Sequence, residues 1–263
     1  PSHFLLLLSD SALPLGSFAF SSGLESYLAH HKYLLSSSSF SPPAPATATA
    51  SFDSFLPLSV SSYASTSLPF LLAGFRDPSC GSLARLDDAQ DASIICAVGR
   101  RASVAQGRAL LGIWERSFQQ SELLFRTTTT TTTTTTANDA AENLRSFSRL
   151  VKKSAGEQVP AASAHLAPLF GAVCRLAGLS AQEAAYVFMF GHVKALVSAA
   201  VRAGMFGPYQ AQRTLASGTV QGLIDRMIER EWNTDVEDAG QSVPVMDLWF
   251  GRHEMLYSRI FNS

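Results

Sequence analysis

Apolar residues in this chain recur at helical spacing, and no convincing run alternates with the period of a strand. The clearest case is Val220, Leu223, Ile224, Met227 and Ile228, at i, i+3, i+4, i+7 and i+8. Asp225, Arg226, Glu229 and Arg230 occupy the wet face of that helix. Just ahead, Gly207-Pro208 places a proline in a first helical turn, where its missing N–H costs nothing. Ser180-Ala-Gln-Glu183 has the form of a capping box, and Gly178 before it suits the end of the preceding helix. The helix that this box opens is apolar nearly all round: Ala185, Val187, Phe188, Phe190, Val193, Leu196, Val197, Ala200 and Val201. A helix without a wet face belongs in the middle of a bundle. Ser22-Gly-Leu-Glu25 has the same capping-box form, with Leu24, Leu28, His31 and Leu35 on one face behind it. Asp91 to about Phe125 reads as one long helix, with Val98, Ala102, Ala105, Ala109 and Gly112 as a seam that lets a neighbour approach closely. These elements predict an all-α fold: a helical bundle forming a single domain over residues 1–263.

Two stretches fall outside that pattern. Ser36 to Ser51 is built almost wholly of Ser, Pro, Ala and Thr, and buries too little apolar surface to offset its ordering entropy. Thr127 to Thr136 is an unbroken run of a β-branched residue, which makes a poor helix. Both are expected to be exposed, disordered insertions between helices.

Composition narrows the class. With 263 residues, 46% of them hydrophobic, the chain can bury a substantial core. A formal net charge of -1 lacks the basic excess of a nucleic-acid binder. Cys80, Cys96 and Cys174 lie far apart and in no metal-ligand spacing, as expected of free thiols in a reducing compartment. Phe4 to Leu8 is too short for a signal peptide, which needs roughly 7–15 apolar residues behind a basic start. Ala184 to Phe206 is the best membrane candidate. It carries His192, Lys194 and Arg202, so it is read as a buried helix and no membrane partner is expected. Pro1 is not a natural start, and a short preceding piece is expected.

Candidate chemistry is sparse. The chain has no phosphate-binding G-x-x-x-x-G-K-[ST], no G-x-G-x-x-G, no H-E-x-x-H and no G-x-S-x-G. Asp87-Asp88-Ala-Gln-Asp91 fits the D-D-x-x-D with which helical prenyl and terpene synthases hold Mg²⁺. A lyase needs a second motif opposite, and the segment from Asn138-Asp139 has Glu142 and Ser146 where Ser/Thr and Glu are required. The other reading of these acids is favourable charge near a helix N-terminus. His30-His31 has ligands suited to a transition metal, but adjacent helical residues point about 100° apart and chelate poorly. Lys194, Ser198 and Arg202 form a polar stripe on the apolar helix and require water, a counter-charge or a partner.

Three segments together resemble the UreF-type urease accessory proteins. The first runs from Leu7 to Glu25 (LLSDSALPLGSFAFSSGLE), and from Pro14 onward is similar to the family's opening P-x-G-[GS]-[FY]-x-x-S-x-G-L-E. The second runs from Phe170 to Leu215 and includes LVSAAVRAGMFGPYQAQRTL. The third, His253 to Ser263 (HEMLYSRIFNS), looks like the closing H-E-x-x-x-[ST]-R-[LI]-F-x-S. The resemblance implies a helical, non-enzymatic chaperone of the cytoplasm that works as a homodimer. Its partners would be a UreD/UreH-type scaffold, a UreG-type GTPase and apo-urease, with nickel as transported cargo and no tightly bound cofactor. It assigns no catalytic or metal-ligating residue and points to Phe18, Glu25, Lys194, Arg202, Gln212, His253, Tyr257, Arg259 and Phe261 as partner-binding positions. Glu25 also has a reading as the capping-box acid, and Arg202, Gly207 and Gln212 as helix-packing residues. Phe18 stands where the family often has tyrosine, and Met205-Phe-Gly-Pro208 replaces its usual P-L-G-Q. Tyr257 to Ser263, rich in the residue types that anchor interfaces, is expected to dock on the scaffold. A generic helical binding module without a nickel role is the alternative, with the Mg²⁺-dependent lyase behind it.

Overall fold

The computed structural model describes residues 3–36, 45–120, 134–158 and 160–262. Among them the regular structure is helical throughout, with no strand. In chain order the helices are α1 (His3–Ser9), α2 (Leu24–Ser36), α3 (Pro45–Arg76), α4 (Cys80–Ser93), α5 (Ala97–Arg116), α6 (Thr134–Ser154), α7 (Leu166–Leu176), α8 (Ala181–Arg202), α9 (Pro208–Leu215), α10 (Gly218–Glu231) and α11 (Val245–His253).

The centre is made by α3, α7 and α8. The axes of α3 and α7 can run close because glycines face the contact. A side-chain carbon on Gly171 would lie 2.1 Å from the Leu71 carbonyl oxygen, and one on Gly74 would lie 2.4 Å from that of Pro168. Around this centre α5 packs on α7, α10 on α3 and α8, and α4 and α6 on each other. Proline 69 sits inside α3 and leaves the Ser65 carbonyl without its helical donor; the Gly240 N–H supplies one at 3.2 Å.

The capping box at Ser180 and Glu183 forms in both directions. Gly178 ends α7 at a positive φ, and Pro208 opens α9. Val220, Leu223, Ile224 and Ile228 are the buried side of α10. Helix α8 is long and apolar enough to cross a membrane, but two-thirds of its apolar window is buried inside the protein.

Three expectations need correction. The helix expected over Asp91–Phe125 is broken at residues 94–96, between α4 and α5, where Cys96 takes an extended N-cap conformation; α5 ends at Arg116, and residues 121–125 lie outside the described residues. Its packing seam also differs: Ala105 is exposed, while Val98, Ala102, Gly107, Leu110 and Trp114 face inward. Gly107 is the close-approach residue, since an added side-chain carbon would lie 2.1 Å from the Ala164 carbonyl oxygen. Finally, α3 begins at Pro45, so residues 45–51 of the expected insertion are its first turns, and the Ser51 carbonyl accepts from the Tyr27 hydroxyl at 3.3 Å. Likewise 134–136 open α6. Residues 37–44 and 127–133 lie outside the described residues.

Candidate functional site

The opening segment, helix α8 and the C-terminal tail, far apart in sequence, converge in space. The opening segment turns through Gly16 and a short 3-10 turn (Ser17–Ala19) that packs on α8. It then enters α2 through two left-handed residues, Ser22 (φ 51°) and Gly23 (φ 83°). That geometry overturns the capping box expected here, which requires an extended N-cap serine. Ser21, not Ser22, accepts from the Glu25 N–H, at 3.4 Å, and the Glu25 side chain is directed elsewhere.

It faces the other end of the chain. Trp249 of α11 lies edge-on to Tyr27 (5.5 Å) and His30 (5.3 Å) of α2, which brings His253 beneath the start of α2. The Glu25 carboxylate, 12% exposed, then gathers three donors: His253 Nε2 at 2.8 Å, the Ile260 N–H at 2.6 Å and the Phe261 N–H at 3.3 Å. His253 is fully buried and its Nδ1 has no hydrogen-bond partner. A proton on Nε2 satisfies this geometry, since one on Nδ1 would be buried without an acceptor.

Helix α8 contributes the polar stripe. Lys194 donates to the Ser9 carbonyl and lies 5.4 Å from the Phe190 ring centre. Burial holds its pKa below the usual lysine range, and Asp10 opposes that shift. Arg202 donates to the Phe18 carbonyl and lies 4.4 Å over the Phe261 ring. Phe261 is buried between these segments, and the Asn262 N–H donates to the Ala19 carbonyl at 2.8 Å. Glu254 is shared between Arg101 of α5 and Arg259 (3.2 Å), which keep its carboxyl below the usual range.

Of the nine positions singled out from sequence, Phe18, Glu25, Lys194, Arg202, His253, Arg259 and Phe261 join this construction. Phe18 does so through its backbone carbonyl. Gln212 lies on the exposed side of α9, outside the contacts described here, and Tyr257 is fully exposed. The residues that sequence reading missed are mostly backbone acceptors, at Ser9, Phe18 and Ala19, which carry no side-chain signal. Trp249 and Glu254 were overlooked too. In the Met205–Pro208 segment, Met205 is buried and Phe206 meets Phe52 edge-on at 5.1 Å, while Gly207 and Pro208 are exposed.

The acidic motif is spent on structure. Asp87 is buried, and its carboxylate accepts from the backbone N–H groups of Ser163 (2.5 Å), Ala164 (3.3 Å) and His165 (2.5 Å). Asp91 meets His165 Nε2 at 3.0 Å, while Asp88 faces solvent. Asp87 therefore holds the entry to α7 and is not turned toward a shared ion with the other two, which removes the geometric basis of the lyase reading. The His30 ring instead meets the Ser26 carbonyl (2.9 Å) and Trp249; the side chain of His31 lies outside the described residues. No group of three or more His, Cys, Asp or Glu suited to a metal occurs among the described residues. The three cysteines are free, and burial pushes the Cys174 thiol up.

A cavity of about 190 Å³ lies under the opening segment, walled in part by Ser59, Tyr63, Gln90, Ser103 and His192. His192 stacks on Tyr63 at 4.0 Å and meets the Ser59 hydroxyl at 3.0 Å.

The opening segment, α8 and the tail thus join the two ends of the chain, beside the exposed apolar side chains of Met255, Tyr257 and Ile260. The chain belongs to the UreF family: the UreF family model matches residues 47–218. It is 35% identical to a urease accessory protein UreF-like protein of Schizosaccharomyces pombe, over 100% of this chain and 97% of the relative. It is 28% identical to urease accessory protein 6 of Cryptococcus neoformans (99% and 96% covered) and 27% identical to urease accessory protein F of Oryza sativa (97% and 82%). The first and third signature segments lie outside the family-model match but inside the full-length likeness to the yeast relative. This membership makes the chain a urease accessory protein with a role in urease maturation.

Proposed function

We propose that this chain is a non-catalytic bridge in the maturation of urease in the cytoplasm. It holds a UreD/UreH-type scaffold and a UreG-type GTPase together, as a homodimer, so that nickel is delivered to apo-urease as cargo. The observation that carries the reading is the split character of the tail. Phe261 and His253 fasten it to the bundle, while Met255, Tyr257 and Ile260 stand 82%, 107% and 65% exposed. Large apolar side chains held outward on a fastened segment are anchors in search of a pocket. Arg259, beside them, can offer its planar fork to a partner carboxylate.

A reconstitution tests the proposal. Apo-urease is mixed with the scaffold, the GTPase, GTP, Mg²⁺ and Ni²⁺, with and without this chain. Urease activity is expected to appear only when the chain is present, whereas the chain alone hydrolyses no GTP. Equal activation without it would contradict the proposal.

A further inference from the structure

The Glu25 carboxylate is the meeting point of the two ends of the chain. It takes the backbone N–H groups of Ile260 and Phe261 on its two oxygens and the ring of His253 on one of them. These residues lie more than 225 positions away, so none of these bonds helps α2 form locally. The left-handed pair Ser22 and Gly23 leaves the carboxylate free of the capping role that its sequence position suggests. On the tail, the residue bonded to Glu25 through its N–H at 2.6 Å is Ile260, whose side chain points outward, and Tyr257 lies three residues before it. Holding that backbone therefore fixes the direction of the exposed side chains.

We infer that Glu25 is a positioning residue for docking: it fixes the tail 254–262 against α2 and thereby presents Tyr257 and Ile260 as pre-formed anchors. The inference rests on the docking role of the tail proposed above. Its physical content is entropic. A tail already ordered in the free chain loses less freedom on binding than one that must order at the interface. Glu25 itself touches no partner; other contacts of the tail include the Asn262 N–H on Ala19, Phe261 under Arg202, Glu254 on Arg101 of α5, and the exposed Arg259–Glu254 pair.

Glu25→Gln is the test because it is isosteric and yet cannot serve all three donors. If the amide nitrogen takes one oxygen's place, the Ile260 N–H faces another donor. If it takes the other's, the Phe261 N–H does, even when His253 changes tautomer. Three quantities are measured on the full chain: amide hydrogen exchange at Ile260 and Phe261, the thermal midpoint, and affinity for a purified UreD/UreH-type scaffold. In the unaltered chain the two amides are expected to exchange slowly. In Glu25→Gln they should exchange at least about tenfold faster and scaffold affinity should fall about tenfold, with the helical circular dichroism unchanged. In a Tyr257→Ala/Ile260→Ala background the same substitution should cost no further affinity, because both anchors it orients are gone. Rapid exchange at both amides of the unaltered chain would overturn the inference without any substitution. So would an affinity loss of the same size in the Tyr257→Ala/Ile260→Ala background, which would mean that Glu25 meets the partner itself. Should Tyr257→Ala leave affinity unchanged, the docking reading fails instead, and exchange at the two amides still decides whether Glu25 holds the tail.

Discussion

His192 stacks almost parallel on Tyr63 at 4.0 Å, with the Ser59 hydroxyl 3.0 Å from its Nε2. Burial pushes its pKa from 6.5 down to about 3, and the Ser59 hydrogen bond opposes that only weakly. The linkage has a definite sign. Between pH 6.5 and about 3 the unfolded chain takes up a proton on this ring that the folded chain refuses, so stability falls as pH falls through that window. The loss is about 1.4 kcal/mol per pH unit, and above pH 6.5 none of it remains. His192→Gln keeps a polar group near Ser59 and removes the titration. The stability difference between the two proteins should therefore change with pH below 6.5 and be flat above it. Denaturant unfolding at pH 7.5, 6 and 5 measures this, and parallel profiles would contradict the burial of the ring. Asp87 shows the same scale from another side. Its D-D-x-x-D pattern was legible as acids on a helix, but the groups that claim it are backbone amides of residues 163–165, which no side-chain pattern announces.

Between elements, the tightest constraint is the contact of α3 with α7. Gly171→Ala would place a carbon 2.1 Å from the Leu71 carbonyl oxygen, and backbone on both sides would have to move. A destabilisation of about 3 kcal/mol is expected, at the upper end of overpacking effects. Gly191, inside α8, has open space where a side-chain carbon would stand, so Gly191→Ala should be neutral or stabilise by up to about 1 kcal/mol. Thermal unfolding of both variants checks the pair, and equal midpoints would show that α3 and α7 are not in close backbone contact. Much of the helical plan was legible: α8, α9 and α10 carry their caps and periodicity in the sequence. Helix α3 was not, although Phe52, Phe55, Leu56, Val60, Ala64, Leu68 and Leu71 line its buried side. Pro57 and Pro69 lie inside it, where proline ordinarily breaks a helix, and the rescue of Ser65 by Gly240 is tertiary. The break between α4 and α5 was missed because Ile94-Ile95-Cys96 contains neither glycine nor proline.

Over the whole molecule, the three signature segments announced family membership but not their mutual contacts. Glu25 looked like a helix cap because Ser22 stands three residues before it, yet the backbone at Ser22 and Gly23 is left-handed and the carboxylate reaches the opposite end of the chain. Lys194 and Arg202, expected to need water, a counter-charge or a partner, meet carbonyls of the chain's own opening segment. Phe261 and His253, expected to face a partner protein, are instead buried within the chain. The proposed docking role therefore falls on the exposed fringe of the tail, Met255, Tyr257 and Ile260. The most direct measurement is therefore the affinity of the Tyr257→Ala chain for a UreD/UreH-type scaffold, taken together with its thermal midpoint. Tyr257 is fully exposed, so its removal should leave the midpoint unchanged. Losing an interface anchor costs about 2 kcal/mol, and affinity should fall roughly thirtyfold. An unchanged affinity in a correctly folded variant would contradict the account.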